Sequence, residues 1–281
     1  TLDPPRHDRP SSGAEGASPE VVASRVANAA VARPGIPAPS ADVLRARGDP
    51  AGDRVIWLVD LDAFYVSVER LKDPSLRGRA VIVGHASRER GVVCSESYEA
   101  RAFGVRSAMP MSQALAACPH AVVVSPDFPA YEAASDDVFR RLRAFAPALE
   151  RVSIDEAYLD LSRVDASRSE PARADGERAD ARLPLGSLDV AARVRSRLLA
   201  ATGLSVSIGI GASKSVAKVA ANLAKPGGVL EVARGHEAAF LAGLPVDALP
   251  GVGPRTRARL AALRIHTIGD LARVPADELE A

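Results

Sequence analysis

Five apolar residues open the segment Val55-Ile-Trp-Leu-Val-Asp-Leu-Asp and run directly into its acids; a second apolar stretch, Val152–Leu161, is broken by Asp155 and Glu156. Apolar runs of this length read as buried strands. A carboxylate at the end or turn of a core strand is costly to desolvate unless a cation compensates it. If the two strands lie side by side, the acids meet at one point. Hard oxygen ligands gathered there suit Mg²⁺, which takes one or two carboxylates and completes its shell with substrate phosphates. Two such ions can clamp the attacking and leaving oxygens of a phosphoryl transfer. The plainer alternative, acids that cap strands or pair with arginines, loses ground because both clusters interrupt apolar runs in the same way.

Around these strands the pattern is that of a mixed fold. Helical character follows the first acids at Ala63–Leu71. Short strands are predicted at Ala80–Gly84, Gly91–Ser95 and Ala121–Ser125 from their Val/Ile content. Pro110 is expected in the first turn of a helix over Met111–Cys118. Tyr131, Ala134, Val138, Leu142 and Phe145 recur at spacings of three and four, an amphipathic helix over Pro129–Ala146. Val190, Val194 and Leu198 mark another helix, and Leu204–Ile210 another strand. After Gly227-Gly228 only short helical pieces follow, at Glu237–Ala242, Pro254–Leu263 and Ile268–Arg273. Trp57, Met109 and Met111 read as packing.

Two regions stand apart. Residues 1–53 hold eight of the 21 prolines and no aromatic residue, so we expect a mostly disordered extension. Ser162–Ser187 interleaves Arg, Asp and Glu and reads as an exposed insertion. The chain opens on Thr1 rather than Met, which is expected of a fragment or processed product. No run of about 18 apolar residues is present, so no membrane span is expected. Two cysteines, Cys94 and Cys118, argue against a disulfide scaffold and for a reducing, cytoplasmic setting. The histidines form no HExxH or close pair, and no GxSxG setting occurs. The net charge of +1 leaves nucleic-acid binding to the local distribution of charge.

That distribution is informative. Residues 211–230 carry three of the four lysines, Lys214, Lys218 and Lys225, and no acid. Ammonium groups suit polyphosphate oxygens, although a solvated basic helix face would look the same. A P-loop is excluded, because the glycine positions counted back from Lys214-Ser215 hold Ile208 and Ser213. Tyr98 and Arg101 lie three apart and would share a helix face as an oxyanion clamp. Leu249-Pro-Gly-Val-Gly-Pro begins a helix at a glycine turn, followed by Arg255, Arg257, Arg259 and Arg264 without an intervening acid. This is a helix–hairpin–helix pattern, a grip on nucleic-acid backbone that ignores sequence.

Taken together, Val59-Asp-Leu-Asp-Ala-Phe-Tyr, Tyr98-Glu-Ala-Arg-Ala-Phe-Gly-Val, Ser153-Ile-Asp-Glu-Ala-Tyr-Leu-Asp, Ser207-Ile-Gly-Ile-Gly-Ala-Ser-Lys, Ala224-Lys-Pro-Gly-Gly and Leu249-Pro-Gly-Val-Gly resemble, in order and spacing, the motifs of the Y-family DNA polymerases, in particular their DinB or DNA polymerase IV branch. The resemblance implies an α+β right-hand fold. Residues 54–63 and 128–232 would form a palm with an antiparallel sheet, 64–127 small fingers, and 233–281 a helical thumb with the helix–hairpin–helix. It implies template-directed, translesion-type addition of dNTPs to a primer 3′-OH. Two Mg²⁺ ions would be held by Asp60, Asp155, Glu156 and the Leu61 carbonyl, with Asp60, Asp155 and Glu156 catalytic. Tyr65 would be the steric gate against a ribose 2′-OH. Ser95, Tyr98, Arg101 and Lys225 would bind the nucleotide, and Gly251, Gly253, Arg255 and Arg257 the DNA. Primer–template DNA and dNTPs are the implied partners of a monomer. The family's little finger and its sliding-clamp-binding tail lie beyond the thumb, past the last residue Ala281, so weak DNA affinity and weak activity are expected of this chain. Two rival readings are a catalytically silent DNA-binding homologue, disfavoured by the three acids, and a nucleotide cyclase, which needs no hairpin thumb.

Overall fold

The computed structural model describes residues 54–85, 91–146, 148–162 and 188–280. The expectations for residues 1–53 and for nearly all of the Ser162–Ser187 insertion lie outside the described residues.

Strand β1 (Ile56–Leu61) is buried along its whole length. It lies at the centre of a five-stranded sheet of order β5-β6-β1-β7-β8, with β5 at Leu149–Arg151, β6 at Glu156–Asp160, β7 at Val206–Gly211 and β8 at Val229–Glu231. Both faces of β1 are covered, which is why it reads as a continuous apolar run rather than an alternating one. Side chains still alternate by face. Trp57, Val59 and Leu61 point into the main core with Tyr131, Val138, Phe139 and Leu142, whereas Ile56 and Leu58 meet Ala217 and Ala221 on the other face.

The main-core side is closed by α4 (Phe128–Phe145) and α5 (Leu188–Thr202). Asp127 caps α4 by accepting from the Ala130 N–H, and the buried Tyr131, Ser135, Val138, Phe139 and Leu142 repeat at helical spacing. The opposite face is closed by α6 (Lys214–Ala224), capped by Ser213. Gly209 lets α6 lie directly on β7. A Cβ there would come within 2.0 Å of the Ala217 carbonyl oxygen and 2.2 Å of the Ala221 nitrogen.

Three expectations for the large sheet need correction, the first being that only helical pieces follow Gly227-Gly228, where β8 is a strand. Val152–Leu161 is not one strand. β5 ends at Arg151, residues 152–155 turn, and β6 begins at Glu156, forming a hairpin in which the Val152 N–H donates to the Glu156 carbonyl at 2.9 Å. The Ser153 hydroxyl stabilises the turn, accepting from the Asp155 and Glu156 N–H groups, and Val152 is left about half exposed. The sheet is also not antiparallel throughout. β5, β6, β1 and β7 alternate, but β8 runs parallel to β7. A helical crossover returns the chain in the same direction, and α6 is such a crossover.

Helix α1 (Phe64–Lys72) leads to a second sheet of order β3-β2-β4, from Val93–Glu96, Val81–Gly84 and Val122–Val124. Between β3 and β4 lie α2 (Tyr98–Ala102) and α3 (Met111–Ala117). Pro110 is the N-cap of α3 rather than a residue of its first turn. Trp57, Met109 and Met111 pack as expected. The C-terminal helices are α7 (Glu237–Ala242), α8 (Pro254–Ala262), α9 (Ile268–Ala272) and α10 (Ala276–Glu280). Phe240, Leu244 and Ile268 join Val216 and Val219 of α6 in one cluster, which docks this unit on the large sheet.

Candidate active site

Pairing of β1 with β6 sets Asp60 directly opposite Glu156. The next residue of β1, Leu61, donates its N–H to the Asp155 carbonyl at 2.9 Å, so the hairpin turn carrying Asp155 is tied to the end of β1. The two acidic segments, almost a hundred residues apart in sequence, therefore meet. Asp60 is about 1% exposed. It shares the α6-facing side of β1 with Ile56 and Leu58, and there Lys225, the C-cap of α6, reaches its Oδ2 at 2.5 Å. Lys218, two turns earlier on α6, pairs with Glu156 Oε2. The basic stretch read from sequence is thus partly a set of counter-charges for the acids.

Burial pushes the Asp60 carboxyl above the ordinary carboxylate range, and Glu156 adds to this against the opposing pull of Lys225. Burial acts on Glu156 in the same sense, but the Lys218 ammonium, a hydrogen bond with Asp60 and the Lys225 charge together outweigh it and hold Glu156 low. One acid that resists ionisation beside one that ionises readily is a strongly polarised pair. Asp155 Oδ1 accepts from the Ser153 hydroxyl at 2.6 Å. Among the described residues no three His, Cys, Asp or Glu side chains are gathered into a ready-made metal cage. The donor set still suits Mg²⁺, which binds through one or two carboxylates plus substrate phosphates and rarely through an all-protein cage.

Tyr65 lies at the start of α1 beside these acids. Its ring stacks on Tyr131 with centroids 4.2 Å apart and 12° between planes, and Phe128 meets it edge-on at 6.1 Å. Partial burial and the nearby Asp155 charge keep its phenol protonated. Tyr98 and Arg101 share a face of α2 as predicted, with the guanidinium carbon 4.9 Å from the ring centroid. Arg101 is also held by Glu96, at 2.9 Å from both Nε and Nη2. Ser95, paired with Val83 between β2 and β3, is half-buried.

Asp62 was not singled out in the sequence. It is buried and accepts from Ser205 Oγ and Ser207 Oγ at 2.7 Å each, from the Gly227 N–H at 2.8 Å, and from the Tyr98 hydroxyl at 3.3 Å. It ties the end of β1 to β7, to the loop after α6 and to α2. Burial and this carboxylate push the Tyr98 phenol far up, so it remains a donor. The Asp-x-Asp spacing, which repeats a strand face, was the available signal. Ser135 was also missed. It is fully buried in α4, donates to the Ile154 carbonyl, and accepts from Arg151 Nη2 at 2.7 Å, bracing the turn that carries Asp155.

Gly251, Gly253, Arg255 and Arg257 lie apart from the acids, in the C-terminal unit. Gly251 has φ +92°, a conformation that favours glycine. Gly253 is the N-cap of α8 and Pro254 its first residue, with no side-chain cap. Arg255, Arg257 and Arg259 are exposed. Arg257 reaches back to Asp247 at 3.2 Å, an acid upstream of the arginine run. Among the described residues no helix is long and apolar enough to cross a membrane.

Comparison with known proteins gives the chain's relatives. The sequence model of the impB/mucB/samB family matches residues 59–222. A protein named DNA polymerase IV 2 from Mesorhizobium japonicum is 43% identical over 214 residues, 76% of this chain and 46% of that protein. DNA polymerase IV from Streptomyces coelicolor is 43% identical over 221 residues, 79% of this chain and 43% of that one. The crystal structure of DinB from Sulfolobus solfataricus superposes with a TM-score of 0.69 at 29% identity, covering 80% of this chain and 62% of that one. An insertion ternary complex of Dbh DNA polymerase gives 0.66 at 29% identity, with the same coverage of 80% and 62%. The chain spans about half the length of the curated relatives it matches.

Proposed function

Because the chain belongs to the impB/mucB/samB family, the DinB-type Y-family DNA polymerases, we propose that it carries the catalytic part of a template-directed, translesion-type DNA polymerase. Such an enzyme adds dNTPs to a primer 3′-OH and releases pyrophosphate. The reading rests on one observation above the others: Asp60 faces Glu156 across β1 and β6, and Leu61 is bonded to Asp155. Residues 54–63 and 128–232 are then the palm, 64–127 the fingers and 233–281 the thumb.

Asp60, Asp155, Glu156 and the Leu61 carbonyl would hold two Mg²⁺ ions. When bound, such ions acidify the 3′-OH and neutralise the leaving pyrophosphate. The protein's own side chains position and stabilise charge. Tyr98, Arg101 and Lys225 bind the triphosphate, with Ser95 beside them. Tyr65, its ring fixed by Tyr131, closes the space a 2′-OH would occupy. Gly251, Gly253, Arg255 and Arg257 hold DNA backbone without reading sequence. Primer–template DNA and dNTPs are the partners. A sliding clamp is a further proposed partner, and we read this chain as a monomer of weak activity.

Primer extension with Mg²⁺ and all four dNTPs tests this. The chain should extend a primer slowly, and Asp155→Ala or Glu156→Ala should abolish extension while leaving the thermal transition in place. Variants that extend like the parent would overturn the assignment.

A further inference from the structure

We infer that Glu96 is a positioning residue that sets the strength of the triphosphate grip by pinning the Arg101 guanidinium; the inference rests on the polymerase reading above. Glu96 is the last residue of β3, and its side chain is only 3% exposed. A buried carboxylate must be paired. Its Oε1 accepts from Arg101 Nε at 2.9 Å and lies 2.9 Å from Nη2 in an ion pair, and its Oε2 accepts from the Ser107 hydroxyl at 2.7 Å. On its other side the guanidinium lies against the Tyr98 ring, 4.9 Å from the centroid. Arg101 remains about a third exposed, so a ligand can reach it. A long side chain that would otherwise sample many rotamers is thus held between a buried acid and a phenol ring.

The arrangement has a counterpart at Tyr98. Asp62, also buried, accepts from the Tyr98 hydroxyl. Both α2 side chains assigned to the triphosphate, Tyr98 and Arg101, are therefore tied to a buried acid, one in the small sheet and one at the end of β1. Glu96 engages Nε and Nη2 and leaves Nη1 for a phosphate oxygen. Ordering one such side chain in advance removes an entropic penalty that binding would otherwise carry, equivalent to about three- to tenfold in affinity. The negative charge of Glu96 opposes a triphosphate, so positioning and charge predict opposite signs when the acid is removed.

Calorimetric titration of the chain with dATP in Mg²⁺ decides between them. Glu96→Ala should weaken dATP about three- to tenfold, and Glu96→Gln, which still accepts from Arg101, should recover most of the loss. In an Arg101→Ala background, Glu96→Ala should cause no further loss. Where primer extension is measured, the loss should appear in KM and not in kcat. Tighter binding by Glu96→Ala, unchanged binding, or a further loss in the Arg101→Ala background would each overturn the inference. If Glu96→Ala fails to fold, Ser107→Ala, which frees only Oε2, should weaken binding in the same direction, and parent-like binding by it would count against the inference. A parent that binds dATP but extends no primer would refute the polymerase reading alone; a parent that binds no dATP would refute both.

Discussion

Replacing Gly209 with alanine should damage the site through the packing beneath it. The added Cβ would lie 2.0 Å from the Ala217 oxygen, 2.2 Å from the Ala221 nitrogen and 2.9 Å from the Ala221 Cα, all backbone atoms of α6 that no rotamer change can move. Restoring ordinary contact requires α6 to retreat by roughly 1.5 Å, and a gap of even ~1 Å forfeits up to half of the dispersion energy across it. The face that loses contact includes Ala217 and Ala221, which meet Ile56 and Leu58 of β1. Overpacking of this kind costs about 3 kcal/mol, a fall in Tm of about 6–12 °C for a domain of this size. Because α6 also carries Lys218 and is capped by Lys225, primer extension should fall together with stability. Differential scanning calorimetry of parent and variant measures the effect. Gly243→Ala is the control: its backbone has ordinary helical angles and the new Cβ meets nothing within 4 Å, so its Tm should stay level or rise slightly. A Gly209→Ala protein melting within about 2 °C of the parent would refute the close-approach argument.

Three further outcomes are expected. Tyr65→Ala should raise ribonucleotide incorporation relative to deoxyribonucleotide in single-nucleotide extension, and an unchanged ratio would remove Tyr65 from the gate. Burial raises the Glu231 carboxyl from the ordinary 4.5 to about 7, against a bond from the Leu188 N–H. The native state then holds more protons than the unfolded state between those values, so stability declines as pH rises from about 4.5 to about 7, by up to ~3 kcal/mol. Glu231→Gln should flatten that decline in urea titrations and be the more stable protein at pH 8; parallel pH profiles would contradict the assignment. Ser135→Ala should lower stability by about 1–2 kcal/mol, because the Arg151 guanidinium loses a buried partner. It should also raise the Mg²⁺ concentration needed for half-maximal extension, since the turn bearing Asp155 loses its brace, and a parent-like Mg²⁺ midpoint would show that the brace does not reach the site.

Much of this was legible in the sequence because the relevant signals are local. The apolar run before Asp60 marked β1, and the three-and-four spacing from Tyr131 to Phe145 marked α4. What escaped was set by partners distant in the chain. Ser153-Ile-Asp turns a hairpin through the Ser153 hydroxyl, which no hydrophobic pattern records, so one strand was read where two exist. Asp62 looked like a repeat of Asp60 until Ser205, Ser207, Gly227 and Tyr98 converged on it. Glu96 and Ser135 are ordinary residues in sequence, and their meaning lies entirely in what they brace. Val229–Glu231 was not read as a strand at all, because three residues after Gly227-Gly228 are too short a signal, and its parallel direction follows from the α6 crossover. The acids themselves were found because a charge ending a buried strand is costly enough to require a reason.

The central position of β1 has a consequence for how the protein is made. Its neighbours in the sheet, β6 and β7, are synthesised about 100 and 150 residues later. Until both emerge, a segment apolar but for Asp60 waits with unpaired edges on either side, the condition in which nascent chains associate with one another. Such long-range pairing also slows folding. A chaperone that shields Ile56–Leu61 during translation should therefore increase the yield of native protein, and production at reduced temperature, where synthesis slows and apolar attraction weakens, should do the same.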